Sequence, residues 1–213
     1  MTVEMIGMSV FGLLVLGVLV LAVRQGAQQR AHLATYSASR GWSVAHQADA
    51  RLSAILEQAM PQERWYVFNV MQVEQAPESV YLFRYQVSSR NRSSGRSSGT
   101  ACLAEHTGRW RAEPVEIFPR TPGVEKLVGD RVDAGGEEFR DTFTVVCQRP
   151  EEGLAVVNPE VERLLLEHRA GRGWYLTATV SRRLVLVSSF WAETGDDWDY
   201  LIRLAKGMRE AVR

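Results

Sequence analysis

Hydrophobic and polar positions divide the chain into one long apolar run followed by short strand and helix signals. Residues 5–23 contain no charged side chain, a stretch close to the ~20 apolar residues that cross a bilayer as a helix. Residues 25–41 are rich in Ala and Gln and close on Gly41, which predicts a helical stalk with a glycine stop. Beyond Trp42, Asp49 is placed to cap a helix with apolar positions Leu52, Ile55, Leu56 and Ala59, ended by Pro61.

The next segments change period from helical to two. Residues 65–74 and 79–88 are β-branched and aromatic and are separated by a short link with Pro77, which predicts a β-hairpin. In its second strand Tyr81, Phe83, Tyr85 and Val87 alternate with Leu82, Arg84 and Gln86, giving one buried and one largely wet face. A Ser/Gly/Arg loop over 88–99 follows, then strands over 100–106 and 115–119.

Phe143, Val145 and Cys147 alternate with Thr142, Thr144 and Gln148, the pattern of another half-buried strand. Asn158 caps a helix with Pro159 at its first position and an apolar stripe of Val161, Leu164, Leu165 and His168. A second hairpin pairs residues 174–180 with 184–191. Trp198, Leu201, Ile202, Ala205, Met208 and Val212 then define an amphipathic last helix starting near Asp196. Hairpins interspersed with helices indicate an α+β fold: an N-terminal transmembrane helix followed by an antiparallel β-sheet domain packed with helices, the C-terminal one laid across the sheet. The division expected is residues 1–24 for span and flanks, 25–41 for the stalk and 42–213 for one soluble domain.

Two stretches resemble a known family. Tyr36-Ser-Ala-Ser-Arg-Gly-Trp42 is similar to a "Y-A-x-x-R-G-W" motif following a membrane span. Glu138-Phe139, Phe143, Val145, Ala155, Asn158-Pro159 and Leu164 resemble an "E-F-x-x-x-F-x-V … A … P … L" pattern. Both belong to uncharacterised single-pass membrane proteins of actinomycete-type bacteria that carry a domain of unknown function. The resemblance implies fold and placement, and brings no functional residues with it.

Charge sets the expected topology. Arg24, Arg30 and Arg40 follow the span, whereas Glu4 precedes it, so the positive-inside rule puts the N-terminus outside and the domain in the cytoplasm. A leading region with Glu4 and no Lys or Arg, together with the length of the run, favours an uncleaved anchor over a signal peptide. Lys and Arg number 25 and Asp and Glu 25, a balance that gives nucleic acid no basic surface to grip. Cys102 and Cys147 are the only cysteines and read as small buried residues on strands, without a disulfide scaffold or zinc ribbon.

Candidate chemistry is sparse. Cys102 and His106 imitate a metal fragment, but residues four apart on a strand lie about 13 Å apart. Asp196, Asp197 and Asp199 crowd the start of the last helix, where capping and the helix dipole account for them without a bound cation. Arg90, Arg92 and Arg96 sit in the Ser/Gly loop and would offer guanidinium contacts to an anion or lipid headgroup; a solvated hairpin tip is the simpler reading. No catalytic, cofactor-binding or metal motif stands out. The reading that follows is a non-catalytic interaction or regulatory module at the inner membrane face, in contact with the bilayer through residues 5–23 and with a protein partner. A lipid or small-molecule binding domain is the alternative, with the last helix closing a pocket and the arginine loop at its mouth; an enzyme with a dispersed site ranks third.

Overall fold

The computed structural model describes residues 24, 31–61, 63–75, 77–89, 96–106, 114–120, 130–169, 175–190 and 192–212. The expected span, residues 5–23, lies outside them. Among the described residues no helix is long and apolar enough to cross a membrane. The chain divides into two compact units, Met1–Ser43 and Val44–Arg213.

In the first unit, α1 (residues 31–38) is the described part of the expected stalk. It stops where Gly41 adopts φ 70°, a conformation that costs glycine little, and Ser37 O accepts from Trp42 N at 3.0 Å. The turn folds the motif onto itself. Arg40 stacks over the Tyr36 ring at 4.0 Å, and Tyr36 meets Trp42 edge-on at 5.7 Å, a cation–π and aromatic cluster that gives the Tyr, Arg and Trp of the motif one physical role.

The second unit is built on a nine-stranded antiparallel sheet in the order β1-β2-β3-β4-β9-β8-β5-β7-β6. Its strands are β1 (Val44–Gln47), β2 (Glu63–Glu74), β3 (Val80–Ser89), β4 (Arg96–Glu105), β5 (Val115–Pro119), β6 (Arg131–Val132), β7 (Phe143–Val146), β8 (Leu176–Ser181) and β9 (Leu184–Ser189). Five helices accompany them: α2 (Ala50–Ala59), α3 (Glu137–Thr142), α4 (Pro150–Val156), α5 (Pro159–Arg169) and α6 (Gly195–Ala211). The antiparallel α+β architecture and the C-terminal helix agree with the alternation and periodicity of the sequence.

Register shows how the faces are made. Leu82 pairs with Cys102, Cys102 with Val187, Val187 with Ala178, Ala178 with Ile117, Ile117 with Val145 and Val145 with Val132. This row is buried along its whole length; α6 packs over its β3, β4 and β9 part, and α3 and α4 contact the strands at its far end. The opposite face carries Tyr81, Phe83 and Tyr85 with Leu103 and Leu186, and α2 covers it through Leu52 and Leu56. A bulge at Asn69, with φ 53° and a register shift between Phe68 and Met71, reverses the parity of β2, so Trp65 and Val67 reach the α2 face before it and Val70 after it.

Several expectations change. Strand β4 begins at Arg96, so the 88–99 loop is shorter than its Ser/Gly composition implies; pairing of Ser98 with Gln86 overrides local propensity. The polar-looking faces of β3 and β7 are not wet. Leu82 is fully buried and Thr144 is 2% exposed; α6 packs over the side of β3 that alternation assigned to solvent. Strands β1 and β6 and helices α3 and α4 go unannounced by periodicity, being too short to repeat a pattern.

The caps follow the sequence closely. Asp49 Oδ1 accepts from Leu52 N at 2.7 Å, and Asn158 Oδ1 accepts from Val161 N at 3.0 Å while its Nδ2 donates to Ala211 O at 2.8 Å, tying α5 to α6. Thr194 and Asp197 form a reciprocal capping box at α6.

Candidate functional site

The sheet is curled, and the curl makes the site. Five strand-to-strand steps separate β2 from β5, which in a flat sheet amounts to about 24 Å. Glu63 on β2 and Glu116 on β5 nevertheless line one cleft together. The face that carries α2 is therefore concave, and beyond α2 it stays open as a cleft of about 310 Å³.

Alternation aims the lining. Glu116 pairs with Thr179, Thr179 with Leu186, and Thr177 with Ser188, all on the concave side. Trp65 and Tyr85 come from the neighbouring hairpin with ring centroids 5.1 Å apart. Tyr175 and Phe190, which flank the β8–β9 hairpin, form a second aromatic pair at 5.6 Å. Thus aromatic pairs from two separate hairpins face one space. Gly99 permits the close approach behind it: a Cβ there would stand 2.5 Å from the Ser189 carbonyl oxygen and 3.2 Å from the Tyr85 hydroxyl.

Polar groups sit between the aromatic walls. Ser188 bonds the Tyr85 hydroxyl and stands 2.6 Å from the Thr177 hydroxyl. Burial raises the Tyr85 phenol above its ordinary value, with the nearby Glu63 charge adding to it. Glu63 is half-buried, and desolvation followed by repulsion from Glu116 raises its carboxyl pKa. Glu116 opens onto the cleft, yet the protein packed around it raises its carboxyl as well. The Trp65 Nε1–H is shut off from solvent and completes no hydrogen bond of good geometry, although its approach to Glu63 favours the charged carboxylate. Neither glutamate has an ion pair with a described residue.

A larger groove of about 730 Å³ runs between α2 and β2, past His46, Arg64 and Phe68. It lies at the sheet edge, with Tyr66 60% and Phe68 37% exposed, and shares Glu63 and Trp65 with the cleft.

The residues singled out in the sequence fall elsewhere. Arg90 and Arg92 lie outside the described residues, and Arg96 opens β4, one residue before Ser97 of the cleft. Cys102 is buried under α6 on the convex face, and both cysteines are free. Desolvation pushes the Cys102 thiol well above its usual range, which fits a packing role. His106 Nε2 lies 2.9 Å from the Ser181 carbonyl oxygen, and burial lowers its pKa. Asp197 is spent on its cap, as the capping reading expects. Among the described residues no three His, Cys, Asp or Glu side chains gather in a metal-holding group. The last helix covers the face opposite the cleft, so it does not close the pocket as the small-molecule alternative supposed.

Nothing in the spacing of Glu63 and Glu116 announces their meeting. Each reads as a polar position on an alternating strand, and the curl that joins them is a property of the whole sheet.

No protein-family model and no curated protein matches the chain. Its fold is similar to the crystal structure of the mycobacterial trehalose monomycolate transport factor A, TtfA, with a TM-score of 0.59 over 87% of this chain and 94% of that one, at 11% identity. That likeness to an actinobacterial protein is one of fold and accords with the family resemblance carried by the two motifs.

Proposed function

We propose that this chain is a membrane-anchored, non-catalytic binding module that holds a small ligand in the concave cleft and works beside membrane transport machinery. The observation that carries this reading is the cleft itself: two aromatic pairs, two carboxyls and a hydroxyl chain brought together from non-adjacent strands of one sheet. Binding pockets have this character, with mostly apolar walls and a few converging polar groups. The transport role borrows from the fold shared with a protein named as a transport factor. The anchor is residues 5–23, and the positive flank of Arg24, Arg30 and Arg40 places the domain on the cytoplasmic side. A protein partner at the membrane belongs to the same proposal, since a tethered binding module hands its ligand on. Arg90, Arg92 and Arg96 are proposed as headgroup contacts that orient the domain on the bilayer.

Thr177 lines the cleft on β8 and is half-buried, so Thr177→Trp fills the space with little damage to the core. Native mass spectrometry of full-length protein, extracted gently from its own membrane, reads the outcome. A small adduct present on the wild type and lost from Thr177→Trp is expected. A wild type that carries no adduct, or an adduct indifferent to the substitution, contradicts the proposal.

A further inference from the structure

Resting on that reading, we infer that the ligand of the cleft is a small organic ammonium ion, held between Glu63 and Glu116 and against the rings of Trp65, Tyr175 and Phe190. Charge balance is the first argument. Elsewhere carboxylates find cations: Glu74 has Lys206 and Arg209, Glu105 has Arg51, and Glu160 has Arg163. Among the described residues no Lys, Arg or His lines the cleft, and two like-charged carboxylates face into it, the Glu116 charge adding to what burial does to the Glu63 carboxyl. A positive charge between them removes the repulsion and gives them the kind of partner that Glu74, Glu105 and Glu160 have.

The walls specify what kind of cation. Aromatic faces attract a positive charge through the ring quadrupole and solvate its alkyl substituents, the recognition used for quaternary ammonium groups. Trp65 stands on one side, and the Tyr175–Phe190 pair on the other. A bare divalent metal ion requires six or more oxygens at short range, whereas two carboxylates among rings supply too few. A neutral polyol would find acceptors in the two carboxylates and a donor in the Trp65 Nε1–H, but it would leave the two like charges uncompensated, whereas a cation offsets both. The volume of about 310 Å³ admits an ammonium group with its substituents and excludes a folded peptide.

Calorimetry on full-length protein in a polyoxyethylene detergent, free of sugar and choline headgroups, tests the assignment with choline, its neutral carbon isostere dimethylbutanol, and a disaccharide. Choline should bind saturably, with a Kd in the millimolar range or tighter. The isostere should bind at least about tenfold more weakly, a difference of ~1.4 kcal/mol. Glu116→Gln, at a position open to the cleft, should weaken choline about fivefold or more while thermal unfolding confirms the fold, and the Trp65 indole N–H resonance should shift on binding in the wild type. Equal binding of choline and isostere, or binding of the disaccharide alone, overturns the ammonium assignment and leaves the cleft a ligand site. Failure of all three probes while the native adduct persists overturns it too, whereas loss of the adduct itself sinks the binding proposal.

Discussion

The two faces of the sheet are built from the same strands and put to opposite uses. On the convex face Leu82, Cys102, Val187, Ala178 and Ile117 form an unbroken buried row, sealed by α6 through Leu201, Ala205 and Met208. Even its charges are resolved: although burial opposes it, the hydrogen bond and charge of Lys206, with Arg209 behind it, hold the Glu74 carboxyl below the ordinary range. On the concave face α2 covers only part of the surface. The remainder keeps half-buried rings, and its glutamates sit above the ordinary range with no ion pair to a described residue. The face that keeps rings half-buried and two raised carboxyls beside one another is the one that marks where something else binds.

The largest expected effect lies on the sealed face. Leu201 is fully buried, and Leu201→Ala should cost about 2–5 kcal/mol in denaturant unfolding. Phe190→Ala, at a ring 38% exposed in the cleft, should cost under about 1 kcal/mol. Equal losses would mean that the cleft is ordinary core. Next comes the curl: at Gly99 a Cβ would press on the Ser189 backbone, so Gly99→Ala should cost about 1–3 kcal/mol and weaken ligand binding by deforming the cleft. Loss of the α6 capping box in Thr194→Ala should take about 1 kcal/mol without altering the cleft, as thermal unfolding beside ligand titration would show.

The smallest effect is a contrast in pH dependence. Folded-state values above the ordinary carboxyl range mean that Glu63 and Glu116 retain protons the unfolded chain has released. Their contribution is therefore most favourable at acid pH and declines as pH rises through the raised values. Glu74 has the opposite sign: its stabilisation is present above the ordinary carboxyl range and is lost as pH falls through its lowered value. Glu116→Gln should accordingly relieve instability at neutral pH, and Glu74→Gln should create it. Unfolding curves from acid to neutral pH check both slopes.

Much of the convex side was legible in the sequence, because periodicity reports burial. Trp198, Leu201, Ile202, Ala205 and Met208 repeat at helical spacing, and Asp49 and Asn158 announce their caps in single residues. The cleft was not legible. Glu63 and Glu116 are remote in the chain, and only the summed twist of six strands brings them together. The burial of Thr144 was hidden for a related reason, since a threonine on an alternating strand signals solvent unless other parts of the fold cover it. Clusters that catch the eye, such as Asp196, Asp197 and Asp199, proved to be local, whereas the site is wholly non-local.

Everything proposed for the cleft requires β2 and β5 to face each other across it. The direct test is thiol cross-linking of a Glu63→Cys, Glu116→Cys double variant with a short bifunctional reagent. Cys102 and Cys147 stay silent because they are buried and their thiols are raised by desolvation. A curled sheet predicts an efficient intramolecular link that a bound ligand slows. A flat sheet holds the pair about 24 Å apart, and absence of the link, with both thiols still reactive toward a monofunctional reagent, would contradict the cleft.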